Sequence, residues 1–216
     1  MINILCCVRT LVQRQCLKMD GSSGRKVQMK LNLGAGNKKI EGFVSVDKFP
    51  SPTTDVVFNL ETTPWPWAES SIEEVMLIHA LEHMGQSTDD YLNFIRELYR
   101  VCCNGAKIQI HVPHPRHDNF LGDPTHVRAI TPQQLTLFDR QLNDQWVQGG
   151  ISSATPLAHY LNVDFQISNV TTVLDPVYYQ KYSEGELTLD EINQKARELN
   201  NVIGEYHINW LVRKPL

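Results

Sequence analysis

The chain of 216 residues lacks any apolar run near the roughly 18 residues of a transmembrane span, which argues against a membrane protein. Cysteine is sparse. Cys6, Cys7, Cys16, Cys102 and Cys103 make an odd number with no C-x-x-C spacing, which argues against a disulfide framework and a structural zinc site. This usage fits a reducing, cytoplasmic compartment. The apolar stretch "INILCCV" is soon interrupted by basic residues and has no small-residue cleavage site, so no export signal is read. An excess of positive charge is also missing. Lys and Arg number 20 against 24 Asp and Glu, and a net charge of −4 argues against a general nucleic-acid binder. Internal repeats and low-complexity tracts are absent.

What is present is an ordinary globular composition, 42% hydrophobic and 20% charged, in a length that suits one large domain. Residues 1–28 differ from the rest. They hold three of the five cysteines, five basic residues and the run "DGSSGRK". We read them as an N-terminal extension, flexible or forming one helix through Ile4, Val8, Leu11 and Val12, with the functional domain covering residues 29–216.

From Lys30 onward, short apolar runs alternate with polar segments. "KLNL", "FVSVD", "DVVFNL", "EEVMLIH" and "KIQIHV" read as five strands, and the unbroken "VMLI" suits a parallel sheet buried on both faces. Between the fourth and fifth, "STDDYLNFIRELYRVC" is the clearest helix. Ser87 or Thr88 can cap it, and Tyr91, Phe94, Ile95, Leu98, Tyr99 and Cys102 form its apolar stripe. Asn104-Gly105 is expected to end it. Two later runs, "DFQISNVTTVL" and "EYHINWLVRK", read as long strands able to pair antiparallel at the sheet edge. The turn "LDPVYY" and a charged helix near Leu189 to Asn200 separate them. Such alternation predicts a doubly wound α/β fold.

The first strand runs into Gly34 and Gly36, a turn that lets a ligand approach the backbone. The pair alone is a weak sign. The third glycine of a dinucleotide fingerprint is missing, because Lys39 stands there, and only Asn37 to Phe43 join the turn to the next strand core. A usual crossover takes at least about 10–12 residues, so the helix whose N-terminus would hold a pyrophosphate is shortened or lost. That disfavours a nicotinamide-dependent oxidoreductase. It favours S-adenosylmethionine, which has no phosphate. Asp47, ending the second strand, is placed to accept both ribose hydroxyls, although the same residue could merely begin a turn before Pro50.

Together "LNLGAGN", "FVSVDKFP", "DVVFNLE", "PWPWAESSIEEVMLIHALEHM" and "KIQIHVPHP" resemble class I S-adenosylmethionine-dependent methyltransferases, nearest a compact group with L-N-L-G-x-G-N and H-x-L-E-H motifs. The resemblance implies a Rossmann-like, doubly wound, mostly parallel seven-stranded sheet with an antiparallel last strand. By the same resemblance Gly34, Ala35 and Gly36 would line the methionine part and Asp47 would bind ribose. Asn59-Leu60 would meet adenine, and His79 would sit beside the methyl donor. Asn59 departs from the usual Asp; its amide oxygen can still accept from an adenine amino group, or it can simply form a strand-end turn.

Past the fifth strand, "HVPHPRHDNFLGDPTHVRAITPQQL" packs four histidines and two aspartates into residues 111–126. In this fold the segment overhangs the methyl group, so we read a substrate lid. His83, His114, Asp123 and His126 are the candidates for deprotonating an acceptor, with Glu82 beside them in sequence. Metal is the sharper alternative, through His114, His117, Asp118, Asp123 and His126. Without a metal-ligand spacing such as H-E-x-x-H, no metal is expected. Asp123 is expected to bond nearby backbone or pair with Arg128, and Thr131 to cap the next helix. Trp65 and Trp67 are expected as packing anchors rather than as a cover for adenine.

The sequence reading is thus a methyltransferase for a small or medium-sized acceptor. Two alternatives keep the same fold. One is an RNA or DNA methyltransferase, disfavoured by the missing Asn/Asp-Pro-Pro-aromatic motif; the other is a non-catalytic scaffold, to which Asn59 lends weight.

Overall fold

The apolar runs become strands in a computed structural model, which describes residues 29–151 and 154–215. The expectation for residues 1–28 lies outside the described residues. Seven strands form one sheet: β1 (Met29–Leu33), β2 (Val44–Asp47), β3 (Val56–Val57), β4 (Ile72–Ile78), β5 (Cys102–Pro113), β6 (Phe165–Leu174) and β7 (Ile203–Val212). Their spatial order is β3-β2-β1-β4-β5-β7-β6. The first five are mutually parallel, and β7 runs antiparallel to both β5 and β6. This is a Rossmann-like α/β sheet with an antiparallel last strand. The chain order reverses between β1 and β4, and such switch points open a crevice at the carboxyl ends of the strands. Leu31, Leu33, Val75, Leu77, Ile108 and Ile110 share one face and are fully buried, whereas Met76 and Ile78 on the other face of β4 are half-buried, so "VMLI" is not buried equally on both sides.

Helix α1 (Thr88–Val101) crosses from β4 to β5. Ser87 caps it, accepting from the Asp90 amide at 3.1 Å, and Asp89 and Asp90 sit at its positive end. Tyr91, Phe94, Ile95, Leu98 and Val101 are buried on one face. The helix does not reach Asn104-Gly105. It ends at Val101, and Cys102, at φ −72° and ψ 140°, already belongs to β5. The β4–β5 register jumps here from Ile72 against Cys102 to Glu74 against Lys107, and Gly105 adopts φ +78° in that irregular stretch. The Asn-Gly pair therefore shapes a bulge in a strand rather than stopping a helix.

Between β1 and β2 no helix forms, and residues 48–71 form none either. Trp65 and Trp67 lie in the connection between β3 and β4. Both are buried, stacked edge to face at 5.8 Å, with Trp65 against Phe94 and Trp67 against Phe58. The Trp65 indole N–H donates to the Leu60 carbonyl at 2.8 Å. They are packing anchors.

Later helices are short: α2 (Asp118–Leu121), α3 (Pro132–Leu135), α4 (Arg140–Gln148), α5 (Leu157–Leu161), α6 (Pro176–Ser183) and α7 (Leu189–Glu198). Thr131 caps α3 as expected, accepting from the Gln134 amide, and Thr188 with Glu191 forms a capping box on α7. The expected turn at "LDPVYY" is instead the start of α6. Asp175 accepts from the Val177 amide at 2.9 Å and Pro176 fits the first helical position, so a turn signal doubles as a helix start.

Candidate functional site

A cavity of about 370 Å³ opens at the carboxyl ends of β1, β2 and β4. The turn after β1 forms one wall. The Gly34 and Ala35 amides both donate to the Val46 carbonyl, at 2.9 and 3.0 Å, which fastens the turn to β2. Gly34 has φ +69°, and a Cβ there would lie 2.6 Å from the Ala80 Cβ. Gly36 has φ +53° and open space where a Cβ would be. One glycine allows the turn to press on the β4 end, while the next leaves room for a ligand.

Asp47 sits at the end of β2 with both oxygens already oriented. Its Oδ2 accepts from the Gly36 amide at 2.8 Å and its Oδ1 from the Phe49 amide at 2.9 Å. Lone pairs remain on each oxygen toward the cavity edge, where a vicinal diol can donate. Asn59 and Leu60 lie farther along the same wall. The Asn59 side-chain oxygen accepts from the Glu61 amide at 3.1 Å, so it forms the strand-end turn and keeps one further lone pair.

His79 ends β4 at φ +52°, a left-handed conformation that non-glycine residues seldom adopt. Its Nδ1 lies 3.6 Å from Glu82 and its Nε2 3.4 Å from Glu205. The Glu82 carboxylate, helped by Glu205 and opposed by burial, raises the His79 pKa above the ordinary imidazole value. His111 and His207 stack beside this group with centroids 3.7 Å apart, and His207 Nε2 is 3.0 Å from Glu205. Burial and the neighbouring His207 charge push the His111 pKa down.

The His/Asp segment divides into two parts. His114, His117 and Asp118 tie the chain to the β6–β7 side. His114 accepts from the Arg116 amide at 3.1 Å, packs on Tyr206 and does not line the cavity, and its pKa is lowered mainly by burial. The His117 Nε2 is 3.2 Å from Asp175, and Asp118 accepts from Asn201. Asp123, Thr125 and His126 turn the other way, toward the 3₁₀ turn Leu81–His83. The Val127 and Arg128 amides donate to the Glu82 carbonyl at 3.0 and 3.1 Å, which clamps this part against the β4 end. Of the two arrangements expected for Asp123, the bond to nearby backbone forms, to the Thr125 amide, and the pair with Arg128 does not. Arg128 donates to the Gly85 carbonyl and lies over the Tyr91 ring, while Asp123 accepts from both the amide and hydroxyl of Thr125. Those bonds, the hydroxyl's first, lower the Asp123 pKa.

His83 and Thr125 line the cavity, and His126 stacks edge-on against His83 at 4.6 Å. The structure thus brings His79, His83, Asp123 and His126 to one side and leaves His114 apart. Sequence reasoning passed over Phe49, Phe58, Glu61 and Thr125, all in the lining, and Glu205 beside His79. The position of Phe49, two residues after Asp47, is a signal the sequence carries; its large exposure is seen only in the fold. Glu205 and His207 alternate on β7, so they share a face that only strand pairing could place beside β5.

Neither a protein-family model nor a curated protein matches the sequence. Solved structures do. A SAM-dependent methyltransferase from Archaeoglobus fulgidus aligns over 96% of this chain and 94% of its own, with a TM-score of 0.54 and 16% identity. The 1,6-didemethyltoxoflavin-N1-methyltransferase of Burkholderia thailandensis, with bound 1,6-didemethyltoxoflavin and S-adenosylhomocysteine, aligns over 98% of this chain and 79% of its own. Its TM-score is 0.50 and its identity 11%. The likeness is one of fold. Among the described residues, no helix is long and apolar enough to cross a membrane.

Proposed function

We propose that this protein is an S-adenosylmethionine-dependent methyltransferase of the cytoplasm, acting on a small or medium-sized acceptor, with residues 29–216 as its catalytic domain. The observation that carries the reading is the Asp47 carboxylate, held by the Gly36 and Phe49 amides beside a glycine turn with no helix behind it. That arrangement suits a ribose diol without a pyrophosphate. The residues fit the cofactor: Asp47 for the ribose, Gly34, Ala35 and Gly36 for the amino-acid part, and Asn59 and Leu60 for adenine. His79, which lines the same cavity, would stand on the methyl-donor side. Exposed Phe49 and cavity-lining Phe58 offer apolar faces for the base.

When bound, the cofactor supplies an electrophilic methyl group on a sulfonium. The protein's task is then to orient the acceptor, exclude water and take up its proton. His79, poised by its two carboxylates, and His83 at the cavity wall can receive that proton. Asp123 and His126 hold His83 and the lid over the cavity, and His114 anchors the lid's other end. The small-molecule methyltransferase from Burkholderia thailandensis supports a compact acceptor of this kind.

Thermal unfolding with S-adenosylhomocysteine tests the reading. At about 100 times its Kd a ligand stabilises the native state by ~2.7 kcal/mol, which raises the Tm of a domain this size by roughly 5–11 °C. Asp47→Ala should abolish most of that rise. An equal rise in Asp47→Ala would refute the ribose assignment.

A further inference from the structure

Glu82 is the most unusual polar side chain near the cavity. It is 1% exposed, and neither carboxylate oxygen has a hydrogen-bond partner among the described residues. Its nearest cationic candidate, His79 Nδ1, is 3.6 Å away, beyond hydrogen-bond length. An ionised carboxylate so buried is costly unless a proton, a pairing charge or a metal compensates it.

Two imidazoles complete the surroundings. Glu82, His83 and His126 each place one ligand-capable atom within 4.8 Å of the others. Both rings are held through Nδ1. His126 Nδ1 lies 2.9 Å from the Phe120 carbonyl. His83 Nδ1 lies 3.2 Å from the Thr125 carbonyl and 3.0 Å from the Thr125 hydroxyl, whose own proton goes to Asp123 at 2.6 Å. Carbonyl oxygens only accept, so each Nδ1 carries a hydrogen, and in the neutral ring, the form that binds metal, Nε2 then holds the lone pair. Metal-bound histidines are commonly fixed in this way, by a second ring N–H given to a carbonyl or carboxylate. Asp123 adds a carboxylate oxygen 3.8 Å from His126 Nε2.

We propose that Glu82, His83 and His126 form a binding site for a first-row divalent cation such as zinc or cobalt at the wall of the cavity. Two imidazoles and one carboxylate suit such ions better than calcium or magnesium, which prefer all-oxygen shells. Bonds of ~2.1 Å around a tetrahedral ion place ligand atoms roughly 3.4 Å apart, so side-chain shifts of about an ångström close the triad. Three protein ligands leave a coordination position open, and of the residues around it His83 and Thr125 line the cavity. An acceptor oxygen is the occupant we assign to it, and with His83 Nε2 on the ion His79 alone is left to take the acceptor's proton. That role rests on the methyltransferase reading, whereas the ion site does not. The absence of metal spacing in the sequence does not bear on this set, because Glu82 and His83 come from the turn after β4 and only His126 from the lid.

The test uses full-length protein stripped with chelator and titrated with Co²⁺, followed by visible absorption and by Zn²⁺ competition. One equivalent of Co²⁺ should produce d–d bands that Zn²⁺ removes and that azide, entering the open position, perturbs. Glu82→Gln and the double variant His83→Ala/His126→Ala should each weaken binding at least tenfold while keeping the parent's far-ultraviolet dichroism. Glu82→Gln preserves shape, and the double variant leaves the buried carboxylate in place, so a folding failure in one still leaves the other to decide. Asp47→Ala should bind Co²⁺ like the parent, which separates this site from the donor assignment. No Co²⁺ uptake at millimolar concentration would overturn the proposal and leave Glu82 as the ion-pair partner of His79. Undiminished uptake in either site variant would overturn it as well.

Discussion

Gly34→Ala and Gly36→Ala make a matched pair whose outcomes the structure separates. Both glycines have positive φ, +69° and +53°, so alanine at either costs about 1–2 kcal/mol of left-handed strain. Only at Gly34 does the new methyl meet protein, 2.6 Å from the Ala80 Cβ, about an ångström inside a normal carbon–carbon contact. Overpacking of that kind costs a further ~1–3 kcal/mol. Gly34→Ala should therefore lose about 2–5 kcal/mol and Gly36→Ala about 1–2. At roughly 2–4 °C per kcal/mol, the Tm should fall by ~4–20 °C in the first and ~2–8 °C in the second. Urea unfolding supplies the free energies, provided the m-value is constant across the series. Adding Ala80→Gly to Gly34→Ala removes the clashing methyl and should return part of the loss. Gly36→Ala, with its methyl in open space beside the cavity, should instead weaken S-adenosylhomocysteine more than it weakens the fold. Equal losses at the two positions, with no recovery from Ala80→Gly, would refute the view that the turn is pressed on the β4 end.

Three other expectations follow from the same geometry. The raised pKa of His79 means that its ion pairs stabilise the fold below the unfolded value of 6.5 and fade as pH rises through the folded value. Glu205→Gln should lower the His79 midpoint in an NMR titration and flatten the decline of Tm above pH 6.5; an unmoved midpoint would remove Glu205 from the site. Trp67→Ala, deleting a side chain 1% exposed between Phe58 and Trp65, should cost about 3–5 kcal/mol by chemical denaturation. A chain beginning at Met29 should unfold cooperatively and bind S-adenosylhomocysteine like the full chain, and loss of cooperativity would show that residues 1–28 are part of the packed domain.

Local chemistry made several parts of this molecule legible from sequence. The runs "KLNL", "VSVD" and "VMLI" carry enough β-branched and apolar residues to declare buried parallel strands, and "STDDYLNFIRELYRVC" declares a capped amphipathic helix. The seven-residue gap after Gly36 announced the missing crossover helix, because chain length alone sets what can fit. The place of Asp47 was legible for the same reason: a strand end after a glycine turn has a fixed position in such a sheet, here at the cavity edge. Tertiary structure decided the rest. Asn104-Gly105 looks like a helix stop, yet the pairing of β5 with β4 draws Cys102 into the strand and leaves the glycine in a bulge. Asp123 has Arg128 five residues away, but Thr125 offers two donors at once and Tyr91 offers the guanidinium a ring face. His114 and His126 share one loop, and their separation depends on which neighbours each half finds, β7 for one and the turn after β4 for the other. Glu205 lies more than a hundred residues from His79 in the chain, and the antiparallel register of β7 against β5 sets the two 3.4 Å apart. Sequence spacing reports contacts within a helix turn or a strand; contacts between elements follow from strand order and register, which the folded chain alone defines.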